Sequence, residues 1–123
     1  MFTIDPADLE VVMQDETGFE LRMRDLGDDM IVNYVKMPAG ADFTAAFSLL
    51  QNGHCQCPHY GYVLRGSIYT TSNGDRTVYV AGDVFFWAPG HIPGAIEESE
   101  YVDFAPKVAF EELLDGVRRA MQG

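Results

Sequence analysis

Along most of this chain apolar and polar residues alternate with a period of two. FELRMR (19–24) and MIVNYVKM (30–37) alternate or are rich in β-branched and aromatic residues, the pattern of strands with one buried face. Leu26-Gly27-Asp28-Asp29 between them reads as a turn, and Pro38-Ala39-Gly40 ends the second strand. From Tyr60 the pattern is strongly extended. YGYVLRGSIYTT runs into Ser72-Asn73-Gly74-Asp75, and Asn-Gly between two strand patterns predicts a two-residue hairpin. RTVYVAGDVFFWAPG follows as two extended pieces pivoting at Gly82-Asp83, and IPGAIEE and SEYVDFAP read as two more strands.

The period changes in two places. At the C-terminus Phe110, Leu113, Leu114, Val117 and Met121 fall on one helical stripe. That predicts a helix over about 107–122, with Pro106 in or before its first turn and Arg118 and Arg119 near its C-terminal end. Gly116 within it costs about 1 kcal/mol relative to Ala. In ADFTAAFSLLQNG, Asp42 can cap a short helix whose one face holds Phe43, Ala46, Phe47 and Leu50, with Asn52-Gly53 as its stop. The same residues also suit an irregular apolar loop over a pocket, and both readings stand. Many short strands and one terminal helix imply an all-β sandwich or barrel with a helical appendage.

The chain has 123 residues, a length that suggests one domain spanning 1–123. No apolar run reaches the ~18 residues that span a bilayer. The opening MFTIDPADLE is acidic and lacks an apolar core, so no secretory signal and a cytoplasmic location are expected. Net charge is −11, and the first thirty residues hold nine acids against two arginines. Nucleic-acid binding requires basic side chains to neutralise phosphate, and nothing here supplies them. The acidity reads as solubility.

HCQCPH, residues 54–59, packs two of the three histidines and both cysteines into six residues. A bridge between Cys55 and Cys57 would close a strained ring, and a reducing compartment argues against one. The Cys-x-Cys spacing also lacks the Cys-x-x-Cys and helix N-terminus of redox pairs. Either the thiols are free or they hold a metal. If 55–59 is extended, Cys55, Cys57 and His59 share one face. Pro58 lacks a donor, so the stretch can instead be an edge strand or carry a bulge. A bulge would exchange His54 for Cys55 as the inward residue.

Tyr62–Gly66 and Gly82–Gly90, YVLRG and GDVFFWAPG, resemble the two sequence motifs of the cupin family. Fifteen residues, 67–81, separate Gly66 from Gly82, similar to the short spacing of small cupins. The resemblance covers about 30–105 and implies a cupin-type jelly-roll β-barrel over that range, with an interior pocket and commonly a homodimer. Aligned on Gly66, the family's metal-binding glutamate falls on His59, and its histidine pair falls on residues that do not match. In the second motif the metal histidine falls on Pro93, and the nearby histidine is His91, nine residues after Gly82. The resemblance therefore implies a rearranged ligand set: Cys57, His59 and His91, then Cys55, with His54 last.

Thiolates with imidazoles suit zinc better than iron among divalent metals. An open position on such an ion would activate water or polarise a carbonyl. Glu97 or Glu98, following His91, is a candidate general base. Tyr60, Tyr62, Tyr69, Phe85, Phe86 and Trp87 supply core, interface or pocket surface. Two functional readings follow. One is a metal-dependent protein acting on a small organic molecule inside the barrel; the other is a non-catalytic small-molecule binder without metal. Buried cysteine and histidine that merely pack are the structural alternative.

Overall fold

Alternation, turn chemistry and a terminal amphipathic stripe produce nine strands and one α-helix within residues 1–122, which the structure, a computed structural model, describes. In chain order these are β1 (Glu10–Gln14), β2 (Glu20–Gly27), β3 (Met30–Met37), β4 (His59–Arg65), β5 (Ser67–Ser72), β6 (Asp75–Val80), β7 (Val84–Trp87), β8 (Ile92–Ala95), β9 (Ser99–Pro106) and α1 (Lys107–Gln122). Two tight turns fix the register of neighbouring strands. Asp28-Asp29 and Asn73-Gly74 both have positive φ at their two central residues, the backbone twist that joins antiparallel strands without splaying them.

The strands form two antiparallel sheets. The larger runs β1-β2-β3-β9-β4-β7 and the smaller β6-β5-β8. The expected closed barrel is not formed: among the strands β7 pairs only with β4 and β8 only with β5, so the two sheets are not joined into one ladder. The other edge of β8 is bonded by residues 40–43 rather than by a strand of the larger sheet. The result is a two-layer sandwich rather than a continuous cylinder. The larger sheet also begins earlier than the expected 30–105. β1 escaped the alternation because its pairing with β2 shifts register between Val11 and Met13, and such an irregularity breaks a period of two.

The inner face of the larger sheet carries Ile31, Val35 and Met37 from β3, Val63 from β4, Phe85 and Trp87 from β7, and Tyr101 and Ala105 from β9, all buried. Ile68 and Ala95 of the smaller sheet join the same core. Tyr79 of β6 reaches across to Phe85 and Trp87, with centroids 5.7 and 6.1 Å away. Two glycines allow this layering. Gly66 takes φ +82° where the chain leaves β4 for the other sheet, and a Cβ there would meet Ser99 and the Glu98 carbonyl. Gly61 faces inward beneath Phe85, where a Cβ would lie 2.3 Å from the ring.

α1 covers the rest of the inner face through Phe110, Leu114 and Val117. Its first turn is held by β2–β3: the Lys107 and Val108 N–H groups donate to the Asp29 carbonyl and carboxylate, and Lys107 Nζ lies 2.8 Å from Asp25. Pro106 ends β9 just before the helix. Met121, at the end of the stripe, is exposed. Gly116 has a packing reason, since Leu50 lies where its Cβ would be, at 2.4 Å. Residues 41–53 form no α-helix. They are consecutive turns ending in a short 3-10 turn, Gln51–Gly53, with Phe47 buried and Phe43 half-buried. The loop reading of this segment is the one realised.

Candidate metal centre

Four inward positions on the larger sheet are polar where the pattern calls for apolar residues: Asn33, His59, Ser99 and Asp103 are all buried. Strand register puts three of them side by side. Asn33 of β3 is paired with Asp103 of β9, and Asp103 is paired with Gly61, two residues from His59 on β4. Asn33 Nδ2 donates to Asp103 Oδ1 at 2.7 Å, and His59 Nδ1 donates to Asp103 Oδ2 at 2.9 Å. The other ring nitrogen, Nε2, then faces Cys55 Sγ at 3.5 Å. This carboxylate–histidine arrangement is the usual support of a metal-ligating imidazole, because it fixes the tautomer and raises ligand basicity.

His91 comes to the same point from the turn between β7 and β8. Cys55 and His91 form an isolated antiparallel bridge, with the Cys55 N–H donating to the His91 carbonyl at 2.7 Å. The His91 Nδ1–H donates to the Ala88 carbonyl at 2.6 Å, leaving Nε2 as a lone pair. That atom is buried and has no hydrogen-bond partner. One ligand atom each from Cys55, His59 and His91 lies within 4.8 Å of the other two. Buried polar atoms are normally paired, so an unpaired imidazole nitrogen beside a thiol and a second imidazole fits a cation.

The charges within this group are mutually dependent. Burial pushes the Cys55 thiol up, but the contact with His59 and the neighbouring His91 imidazole outweigh it and bring it down to about 6. Burial disfavours protonated His59, yet the Asp103 carboxylate outweighs that and raises it to about 10. Burial, followed by repulsion from Asp103 and Cys55, moves the Tyr101 hydroxyl well up. Without a metal the group is thus a thiolate–imidazolium pair backed by a carboxylate; with one, the thiolate is already the ligand form.

Not every expected residue arrives. Cys57, placed first among the ligands by the sequence, is buried but lies outside the group of three. The chain bends at Cys57, ahead of Pro58, so the simple alternation 55-57-59 is broken. Its Sγ contacts the Pro58 carbonyl at 3.5 Å. Burial, then the charges of Cys55 and Asp103, pushes this thiol up, which leaves it protonated. The bulge alternative fails as well: Cys55 is the inward residue, while His54 contacts the Asn52 carbonyl. Glu97 and Glu98 are exposed at the turn into β9, where Glu97 accepts from Ser67 and Glu98 pairs with Arg65. They are not positioned as a general base for this site. The acid that is present, Asp103, was legible only as a charge on an apolar parity in SEYVDFAP; Asn33 in MIVNYVKM gave the same signal.

A cavity of about 60 Å³ borders the group. Its walls include Leu21, Val35, Phe47, Trp87, Phe110 and Leu114. Outside it lies a groove of about 620 Å³. Met13, Phe19, Phe43 and Val117 line both. Phe19, Phe43 and Phe47 pack edge-to-face in sequence, at 5.3 and 5.7 Å.

No protein-family model and no curated protein matches this chain. Solved structures do. An RmlC-like cupin from Shewanella frigidimarina is 17% identical, with 82% of this chain and 86% of that one covered at a TM-score of 0.59. KdgF from Halomonas sp. is 22% identical, with 86% and 93% covered at 0.58. The polyketide cyclase RemF from Streptomyces resistomycificus is 16% identical, with 87% and 80% covered at 0.60.

Proposed function

We propose that this chain, whose fold is that of the cupins, holds a divalent metal on Cys55, His59 and His91 and acts on a small organic molecule in the adjoining cavity. The observation that carries the reading is the convergence of three buried donors within 4.8 Å, one of them an imidazole nitrogen with no other partner. One thiolate and two imidazoles favour zinc over iron, and three protein ligands leave a fourth position open. A metal there would polarise a carbonyl or lower the pKa of water. The chain's own residues do the rest. Asp103, itself held by Asn33, orients His59; the Ala88 carbonyl fixes the tautomer of His91; α1 and Phe47 exclude water.

Elemental analysis of protein purified without a histidine tag is expected to find about one zinc or iron per chain. Less than a tenth of that after metal supplementation would overturn the reading. His91→Ala and Cys55→Ser are expected to lose the metal, whereas Cys57→Ser keeps it.

We further propose a homodimer through the outer face of the larger sheet. Tyr60, Tyr62, Leu64, Val84, Phe86 and Phe104 are exposed there, in adjacent strand positions. In a chain of net charge −11, an uncharged face is where a second copy meets least repulsion. Sedimentation should give a dimer that Phe86→Glu converts to monomer; a monomeric wild type overturns the proposal. The two unbridged cysteines support placing the protein in a reducing, cytoplasmic compartment.

A further inference from the structure

We infer that the cavity takes a neutral, mainly apolar molecule bearing one oxygen acceptor, which enters past Phe43 and is held by the Trp87 indole N–H. The inference rests on the reading of this cavity as the ligand site, but not on the presence of a metal. Two buried side-chain atoms without a partner belong to residues that line the cavity: His91 Nε2 and Trp87 Nε1. The rings lie 5.3 Å apart, and Trp87 lies 5.4 Å from His59. His91 Nε2 is an acceptor facing the candidate metal position. Trp87 Nε1 is a donor, and no protein group accepts from it. A buried indole N–H normally finds an acceptor. An oxygen on the ligand supplies one.

The remainder of the ligand is defined by the walls and the charges. Leu21, Val35, Phe47, Phe110 and Leu114 offer only apolar contact. No lysine or arginine lines the cavity or the groove outside it. Asp103 and Cys55 stand at the polar end, and Asp15 and Asp42 stand in the groove. A carboxylate or phosphate would enter past three carboxylates, Asp15, Asp42 and Asp103, with no lysine or arginine on the walls, so anionic ligands are disfavoured. A protonated amine has no lone pair for the Trp87 N–H. A carbonyl or ether oxygen suits the donor without adding charge.

The entry route follows from the shared walls. At about 60 Å³ the cavity has room for a few waters, so an organic ligand must displace part of the wall toward the groove. Phe43 lines both spaces. Its backbone is anchored to β8 by the N–H donating to Pro93 at 3.2 Å, and Cys55 is anchored to His91. Between these anchors the backbone hydrogen bonds of 44–54 stay within the segment: Phe47 to Phe43, Ser48 to Ala45, Leu50 to Phe47, Gly53 to Leu50 and His54 to Gln51. A segment bonded to itself can swing as a unit without breaking sheet hydrogen bonds.

Trp87 is the one tryptophan of the chain, so its fluorescence reports on the cavity directly. The probes share one body: cyclohexanone, methylenecyclohexane (similar shape, no oxygen), cyclohexanecarboxylate and cyclohexylamine, titrated at neutral pH into metal-free and zinc-loaded protein. Cyclohexanone is expected to change the emission saturably in both forms and, in the metal-free form, to bind about ten-fold more tightly than the other three. By calorimetry, Trp87→Phe should bind cyclohexanone no more tightly than methylenecyclohexane. Phe43→Ala should speed association of the ketone about ten-fold or more while retaining the preference. Equal or tighter binding of either charged probe to the metal-free protein, indifference to the oxygen, or no saturable response in either form overturns the inference. Protein that takes no zinc but still selects the ketone would remove the metal reading and leave this one standing.

Discussion

Strand β9 meets a basic side chain at two places. At its beginning Arg65 Nη2 lies 2.5 Å from Glu98, just ahead of the strand, and Arg65 Nε lies 3.2 Å from Glu100. The side chains of Arg65 and Glu98 are each 58% exposed. Three residues beyond Glu100, Asp103 lies 2.9 Å from His59, with side chains 2% and 5% exposed. The first cluster has more charges and the shortest contact. Water and salt nevertheless screen it, and such pairs contribute about 0–1 kcal/mol. The second sits where neither partner can be left alone: breaking a buried pair costs about 3–5 kcal/mol because the survivor stays desolvated. Burial therefore decides which of the two shapes the protein, and only the buried one is joined to further chemistry, through Cys55 and His91.

The largest expected effect tests that difference directly. Asp103→Ala should lower the unfolding free energy by about 3–5 kcal/mol in urea titration and weaken zinc binding by about 10–100-fold. A loss below about 1 kcal/mol would put the two clusters on a par.

The next effect is in pH. In metal-free protein Cys55, lowered to about 6, contributes stability that is full above the ordinary thiol value and lost as pH falls through about 6. His59, raised to about 10, contributes stability that is full below the ordinary imidazole value and lost as pH rises through about 10. The two slopes oppose each other between those ordinary values. Net loss is therefore expected at an acid edge near 6 and an alkaline edge near 10. Urea midpoints against pH measure it, and Cys55→Ser should lack the acid edge. An acid edge retained in that variant would assign it to other groups.

Asn33→Leu should cost about 1–3 kcal/mol, since it leaves one buried Asp103 oxygen without its donor; a neutral outcome would mean that His59 alone satisfies the carboxylate. Smallest of all, Arg65→Ala should change stability by less than about 1 kcal/mol, and less still in high salt.

The element pattern was largely legible. β3, both positive-φ hairpins and α1 follow from alternation, Gly/Asn/Asp turn chemistry and the 3.6 period, all of which act over a few residues. β1 was hidden because its irregular register with β2 leaves no clean alternation. The site was legible only in part. His59 and His91 were found through motif positions and Cys55 through its neighbours. Asp103 and Asn33 lie 44 and 26 positions from His59 in sequence, and only strand register joins them.

Local physics fixes what the sequence by itself determined: where strands and turns fall, that the last segment is an amphipathic helix, and that thiols and imidazoles cluster at 54–59. Only the tertiary structure decided the rest. The ladder stays open because β7 and β8 do not pair with each other. Cys55 rather than Cys57 joins the histidines because the chain bends before Pro58. Asp103 rather than Glu97 or Glu98 reaches His59, and it alone of the three is removed from water. Each of these depends on long-range pairing and burial, which no short window of sequence contains.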